Sequence, residues 1–180
     1  MIRPLHPIEI FLQPGDYYFA GRDTRIRTVL GSCVSMTFWH PQLLVGGMCH
    51  YMLPGRRSER RAGDWPVPNG RFADEAVALL LSRMDRVGTP HQEYQVKLFG
   101  GGDMFPETNQ NRDEMPRIGV QNVQAARRLA KKYSFTCVAE HLGGIGHRTV
   151  IFDVWNGEVW VKHSEVMPVV GHGLANRRLG

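Results

Sequence analysis

The chain is poor in the features that assign a protein to a specialised class. Across its 180 residues no apolar run approaches the ~18 that a membrane-spanning helix needs, so membrane insertion is not expected. The opening MIRPLHPIEIFLQ carries Pro4, Pro7 and Glu9 where a secretory leader needs an unbroken apolar segment. A cytoplasmic location is the expectation. Cysteines number only three, which cannot all pair within one chain, and they are expected as thiols. Internal repeats, low-complexity segments and domain-splitting linkers are all lacking. No zinc-finger spacing or RNA-binding aromatic signature accompanies the arginines, so a nucleic-acid partner is not expected. FGGGDMF lacks the Lys-Ser/Thr ending of a phosphate-binding loop, and its glycines are expected instead to permit a close backbone approach.

What is present is close to the globular average: 42% hydrophobic and 22% charged residues, with a net charge of +5. These values fit one compact domain over residues 1–180, with a loosely packed tail from 164 to 180. Arg56, Arg57, Arg60 and Arg61 cluster between prolines and glycines, the composition of a solvated loop.

Periodicity predicts a mixture of strands and helices. IEIFLQ, YYFAG, IRTVL, VSMTFWH, LLVGGMCHYML, YQVKLF and FTCVAEHL read as strands, and TVIFDVWNGEVWVKH as a hairpin turning at Asn156-Gly157. Residues 72–84 place Ala73, Ala76, Val77, Leu80, Leu81 and Met84 on one helical face, and IGVQNVQAARRLAKKY reads as a second helix with its basic residues last.

Within this pattern Cys33 follows Gly31-Ser32 at a strand entrance, and His50 lies near the end of the next strand. If Pro41 and Gln42 form the hairpin loop, His40 faces Leu43 and the same register sets Cys33 opposite His50, close enough for thiol and imidazole to meet. That register puts Val34, Met36, Phe38, Leu43, Val45 and Cys49 on an apolar face, with Cys33, Ser35, Thr37, Met48 and His50 on the other. Cys49 then reads as a small core hydrophobe. A zinc site from Cys33, Cys49 and His50 would need neighbours on opposite strand faces to converge. For Cys33 and His50 the pattern leaves a catalytic pair, a structural pair and a metal site open. A catalytic pair would use His50 to promote the Cys33 thiolate, Thr28 to orient His50, and backbone N–H groups of the Gly31-Ser32-Cys33 segment to hold an oxyanion. His147 and Arg148 in GGIGHR are expected to face solvent or a partner, and His91, His141 and His163 to be ordinary residues.

LGSCVSM, GGMCHYMLP, KLFGGGDMF, IGVQN and GGIGHRTVIFDVWNGEVWV occur in this order, and together they resemble the chemoreceptor glutamine deamidases, the CheD family of bacterial chemotaxis. The resemblance spans roughly residues 10 to 163. It implies an α/β fold, a mixed β-sheet sandwich flanked by helices and similar to deamidating toxin domains. It also implies that Cys33 is the nucleophile, His50 its histidine and Thr28 the third member. The implied reaction is hydrolysis of receptor glutamine amides to glutamate and ammonia, with receptor methylesterase activity as a second capacity and neither cofactor nor metal. Methyl-accepting chemotaxis receptors are the implied partners, with a CheC-type phosphatase as another. A chain that kept the fold but served only as a non-catalytic adaptor is the alternative.

Overall fold

The computed structural model describes residues 3–56, 67–104 and 117–165. The strands are β1 (Ile8–Phe11), β2 (Tyr17–Ala20), β3 (Thr24–Leu30), β4 (Val34–His40), β5 (Val45–Tyr51), β6 (Gln95–Gly100), β7 (Thr136–Leu142), β8 (His147–Asp153) and β9 (Glu158–Ser164). Two helices, α1 (Ala73–Val87) and α2 (Ile118–Lys132), and a short 3₁₀ turn at His91–Glu93 complete the described elements. The strands form two mixed sheets, one ordered β1-β3-β8-β9 and the other β2-β5-β4-β6-β7.

The amphipathic patterns decide how these elements stack. Ala73, Ala76, Val77, Leu80 and Met84 of α1 are buried, as are Val123, Ala125, Ala126 and Leu129 of α2. They close over Val34, Met36, Phe38, Cys49, Val96 and Leu98 on one face of the five-stranded sheet. The other face of that sheet, through Met48 and Phe99, packs on Ile26, Leu30, Val150 and Phe152 of the four-stranded sheet. The result is three layers, helices on sheet on sheet, so the expected α/β sandwich is observed with both helices on one side. α1 ends where Gly88 takes φ 75° and its N–H bonds to Asp85, a left-handed stop that favours glycine.

Two turns differ from the sequence expectation. In the β4–β5 hairpin His40 faces Val45 and Ser35 faces His50, so the register is shifted by two and Cys33 lies just outside the ladder. The loop is Pro41–Leu44 rather than Pro41-Gln42. The cause is the His40 ring, whose Nδ1 accepts from the N–H groups of Gln42 and Leu43 at 3.3 Å each while Nε2 donates to Glu93 at 2.8 Å. That arrangement needs a wider turn, and it leaves Leu43 half exposed. Because the shift is an even number, the assignment of strand faces survives it. The second difference is the β8–β9 connection, in which Asp153 faces Glu158, so Asn156 and Gly157 are the last half of a four-residue turn. Val154 and Trp155 are drawn into the interior, and the Trp39 ring, whose Nε1 donates to the Val154 carbonyl at 2.8 Å, occupies the space beside Gly157.

Of the arginine cluster, Arg57, Arg60 and Arg61 lie outside the described residues, as does the tail from 166 onward. Arg56 is described, and it forms a two-point ion pair with Glu75 at 2.8 and 3.0 Å.

Candidate active site

Cys33 sits in the three-residue link from β3 to β4, where the chain passes from one sheet to the other. All three carbonyls of this link are braced from outside. Gly102 N–H bonds to the Gly31 carbonyl at 2.8 Å, Gly101 N–H to that of Cys33 at 2.7 Å, and Asn122 Nδ2 to that of Ser32 at 3.0 Å. The glycines permit this approach: a Cβ on Gly100, whose φ is 110°, would lie 2.2 Å from the Cys33 carbonyl oxygen. In a trans peptide the N–H points opposite to the carbonyl. The Ser32 and Cys33 N–H groups therefore turn away from the braces, and neither is taken up by a backbone acceptor in the described loops. Gly31 thus supplies the carbonyl that turns the Ser32 N–H outward.

His50 comes from β5 and is 2% exposed, and Thr28 comes from β3 in the other sheet and is fully buried. Thr28 Oγ1 lies 2.8 Å from His50 Nδ1 and 2.8 Å from the Leu12 carbonyl. A carbonyl can only accept, so the single hydroxyl hydrogen goes to Leu12, and Thr28 accepts from a protonated Nδ1. The tautomer follows: Nε2 carries the lone pair. It has no protein partner among the described residues, so the Cys33 thiol is not hydrogen-bonded to it in this state. Burial pushes the His50 pKa down to about 4, against smaller opposing effects of the Leu12 carbonyl and Asp16. Burial also pushes the Cys33 thiol up. The resting pair is a neutral thiol and a neutral imidazole.

The structure thus brings Cys33, Ser32, Gly31, His50 and Thr28 to one end of the space between the sheets, where Cys33 packs against the cluster that holds Leu30, Met48 and Phe99. Cys49 lies on the opposite face in the helix-side core, with its thiol pushed up to about 12 by burial. Cys137 is exposed on β7. Among the described residues no group of three His, Cys, Asp or Glu side chains is placed to hold a metal ion.

Two features escaped the sequence reading. Asn122, fully buried, also donates through Nδ2 to the Met52 carbonyl at 2.8 Å, so one amide ties the entrance of β4 to the exit of β5. Its signal was a polar residue on the apolar stripe of α2. Arg148 is the second, and here the expectation of an exposed side chain is corrected: it is 1% exposed. Its Nε donates to His141 Nδ1 at 2.7 Å, and it also bonds to the Gly143 carbonyl. The glycine-rich turns on either side, Gly102 and Gly144, leave room for the guanidinium, and His141, itself exposed on β7, accepts from it.

A family model described as CheD chemotactic sensory transduction matches residues 52–163, starting just past His50. Curated relatives extend the likeness over the N-terminal strands. A protein of Pseudomonas fluorescens named probable chemoreceptor glutamine deamidase CheD is 49% identical over 91% of this chain and 89% of its own length. One of the same name from Pseudomonas syringae pv. tomato is 47% identical over 92% and 95%. A Leptospira interrogans protein named probable chemoreceptor glutamine deamidase CheD 1 is 38% identical over 92% and 98%.

Proposed function

Because this chain belongs to the CheD family, we propose that it hydrolyses glutamine side-chain amides of chemoreceptors, with Cys33 as nucleophile, His50 as proton carrier and Thr28 as the residue that orients His50. The observation that carries this reading is the Thr28 contact, which leaves His50 Nε2 as a base on the face shared with Cys33.

Desolvation disfavours a separated thiolate and imidazolium, so proton transfer accompanies attack. The Cys33 sulfur bonds to the amide carbon as its proton moves to His50 Nε2. The oxyanion forms against the outward N–H groups of Ser32 and Cys33, a class of contact worth about 10²–10³ in rate. The C–N bond breaks as the imidazolium returns its proton to nitrogen, and ammonia leaves behind a thioester. Water then hydrolyses the thioester to glutamate. A receptor glutamyl methyl ester presents the same acyl carbon with methanol as leaving group, so the same thiol serves a methylesterase. The substrate places the enzyme in the cytoplasm, beside the receptor's signalling region, where a CheC-type phosphatase is the further partner.

The test is peptide mass spectrometry of a purified chemoreceptor cytoplasmic domain after incubation with the protein. Wild type is expected to convert specific glutamines to glutamate. Cys33→Ala abolishes conversion, and His50→Ala reduces it by about 10²–10⁴-fold. An unmodified receptor that still binds would replace the enzyme with the adaptor reading.

A further inference from the structure

The register that displaced Cys33 from His50 put another residue there. Ser35 on β4 lies directly opposite His50 on β5, and opposite Phe99 on β6. Opposed residues project to the same side of a sheet, so Ser35 and His50 share the space between the two sheets. Ser35 is fully buried, and its Oγ, like His50 Nε2, has no hydrogen-bond partner among the described residues. The walls there are apolar: Leu30, Met48, Phe99 and Val150. A buried hydroxyl without a partner is destabilising, and strand-favouring apolar side chains would fill the position better. Two such orphaned polar atoms, on facing residues and beside the nucleophile, imply a small polar guest that both can hold.

Resting on the deamidase reading above, we infer that Ser35 and His50 Nε2 together position the water that hydrolyses the Cys33 thioester. The water gives one hydrogen bond to Nε2 and the other to Ser35 Oγ, which aims its lone pair at the acyl carbon. The O–C bond forms as that water's proton passes to Nε2. The C–S bond then breaks, His50 returns the proton to sulfur to restore the Cys33 thiol, and the new glutamyl carboxyl releases its own proton to solvent. Ser35 neither gains nor loses a proton. Its role is confined to deacylation, because in the first half-reaction Nε2 is occupied by the thiol proton.

The experiment is rapid-quench intact-mass spectrometry of wild type, Ser35→Ala and Ser35→Thr mixed with the purified glutamine-bearing receptor domain, with ammonia release followed in parallel. Ser35→Ala is expected to give a stoichiometric burst of ammonia at the wild-type rate, then to accumulate the Cys33 adduct because deacylation is at least about tenfold slower. Added hydroxylamine, which attacks the thioester without the serine, restores turnover. Ser35→Thr keeps the hydroxyl and recovers deacylation. The urea midpoint of Ser35→Ala stays close to wild type, since Ser35 Oγ makes no hydrogen bond to any other described residue. A Ser35→Ala protein that turns over like wild type, or that slows both half-reactions equally, overturns the inference while leaving the deamidase reading intact. A wild-type protein that forms neither adduct nor glutamate overturns both.

Discussion

Burial keeps His50 neutral down to about pH 4, whereas in the unfolded chain it takes a proton near about 6.5. The unfolded state therefore binds the extra proton first as the solution is acidified. Stability from this residue is complete above about 6.5 and drains away as pH falls toward 4, to a total of roughly 3 kcal/mol. Urea titrations at pH 7 and pH 4.5 should show wild type losing more stability than His50→Gln between the two values, by about 2–3 kcal/mol. Under the proposed mechanism the rate profile belongs to the same residue. With a neutral pair as the active form, the acidic limb of kcat/KM lies near 4 rather than at the ordinary histidine value, and the raised Cys33 thiol moves the alkaline limb upward. An acidic limb near 6.5 would show that His50 is solvated in the working enzyme.

At the scale of elements, strand faces were legible and registers were not. Alternation along VSMTFWH and LLVGGMCHYML separates Cys49 from His50 whatever the turn, but the turn itself is set by the His40 ring bonding to its own loop, a contact that periodicity does not encode. Thr28 was singled out as a polar residue on the approach to Cys33 and by the family resemblance, whereas the pairing that fixes it is with Val150, a residue remote in sequence. Asn122 stayed hidden because its partners, Ser32 and Met52, come from elements remote in sequence. Arg148 was misread because a charged residue in a glycine-rich segment such as GGIGHR normally marks the solvent side. Asn122 also carries a prediction. Asn122→Ala leaves two part-buried carbonyls without their donor and should cost about 1–3 kcal/mol, read as a lower urea midpoint. It should also reduce kcat with KM little changed, since the freed Ser32 peptide no longer holds the Cys33 N–H in place.

For the molecule as a whole, the layering separates stability from activity. Thr28 stands in one sheet and His50 in the other, so their 2.8 Å contact depends on how the two sheets pack. Phe152 lies in that interface, and Leu80 lies on the far side, between α1 and the five-stranded sheet. Leu80→Ala should lower stability by about 2–5 kcal/mol and Phe152→Ala by about 3–5. Steady-state kinetics under conditions where both variants remain folded should find kcat reduced in Phe152→Ala and near wild type in Leu80→Ala. Equal kcat values in the two variants would mean that inter-sheet packing does not control the pair.

The same topology has a consequence during synthesis. β3, which carries Thr28, pairs on one side with β1 and on the other with β8. β2, β4, β5 and α1 all lie within residues 17–87, but β3 waits for β8 and β9 to leave the ribosome before its sheet can close. Until then Thr28 has no fixed place, and nothing selects the His50 tautomer that leaves a base facing the thiol. A nascent chain can carry Cys33 and His50 well before β8 is made, and under the proposed mechanism competence arrives only when β8 joins β3.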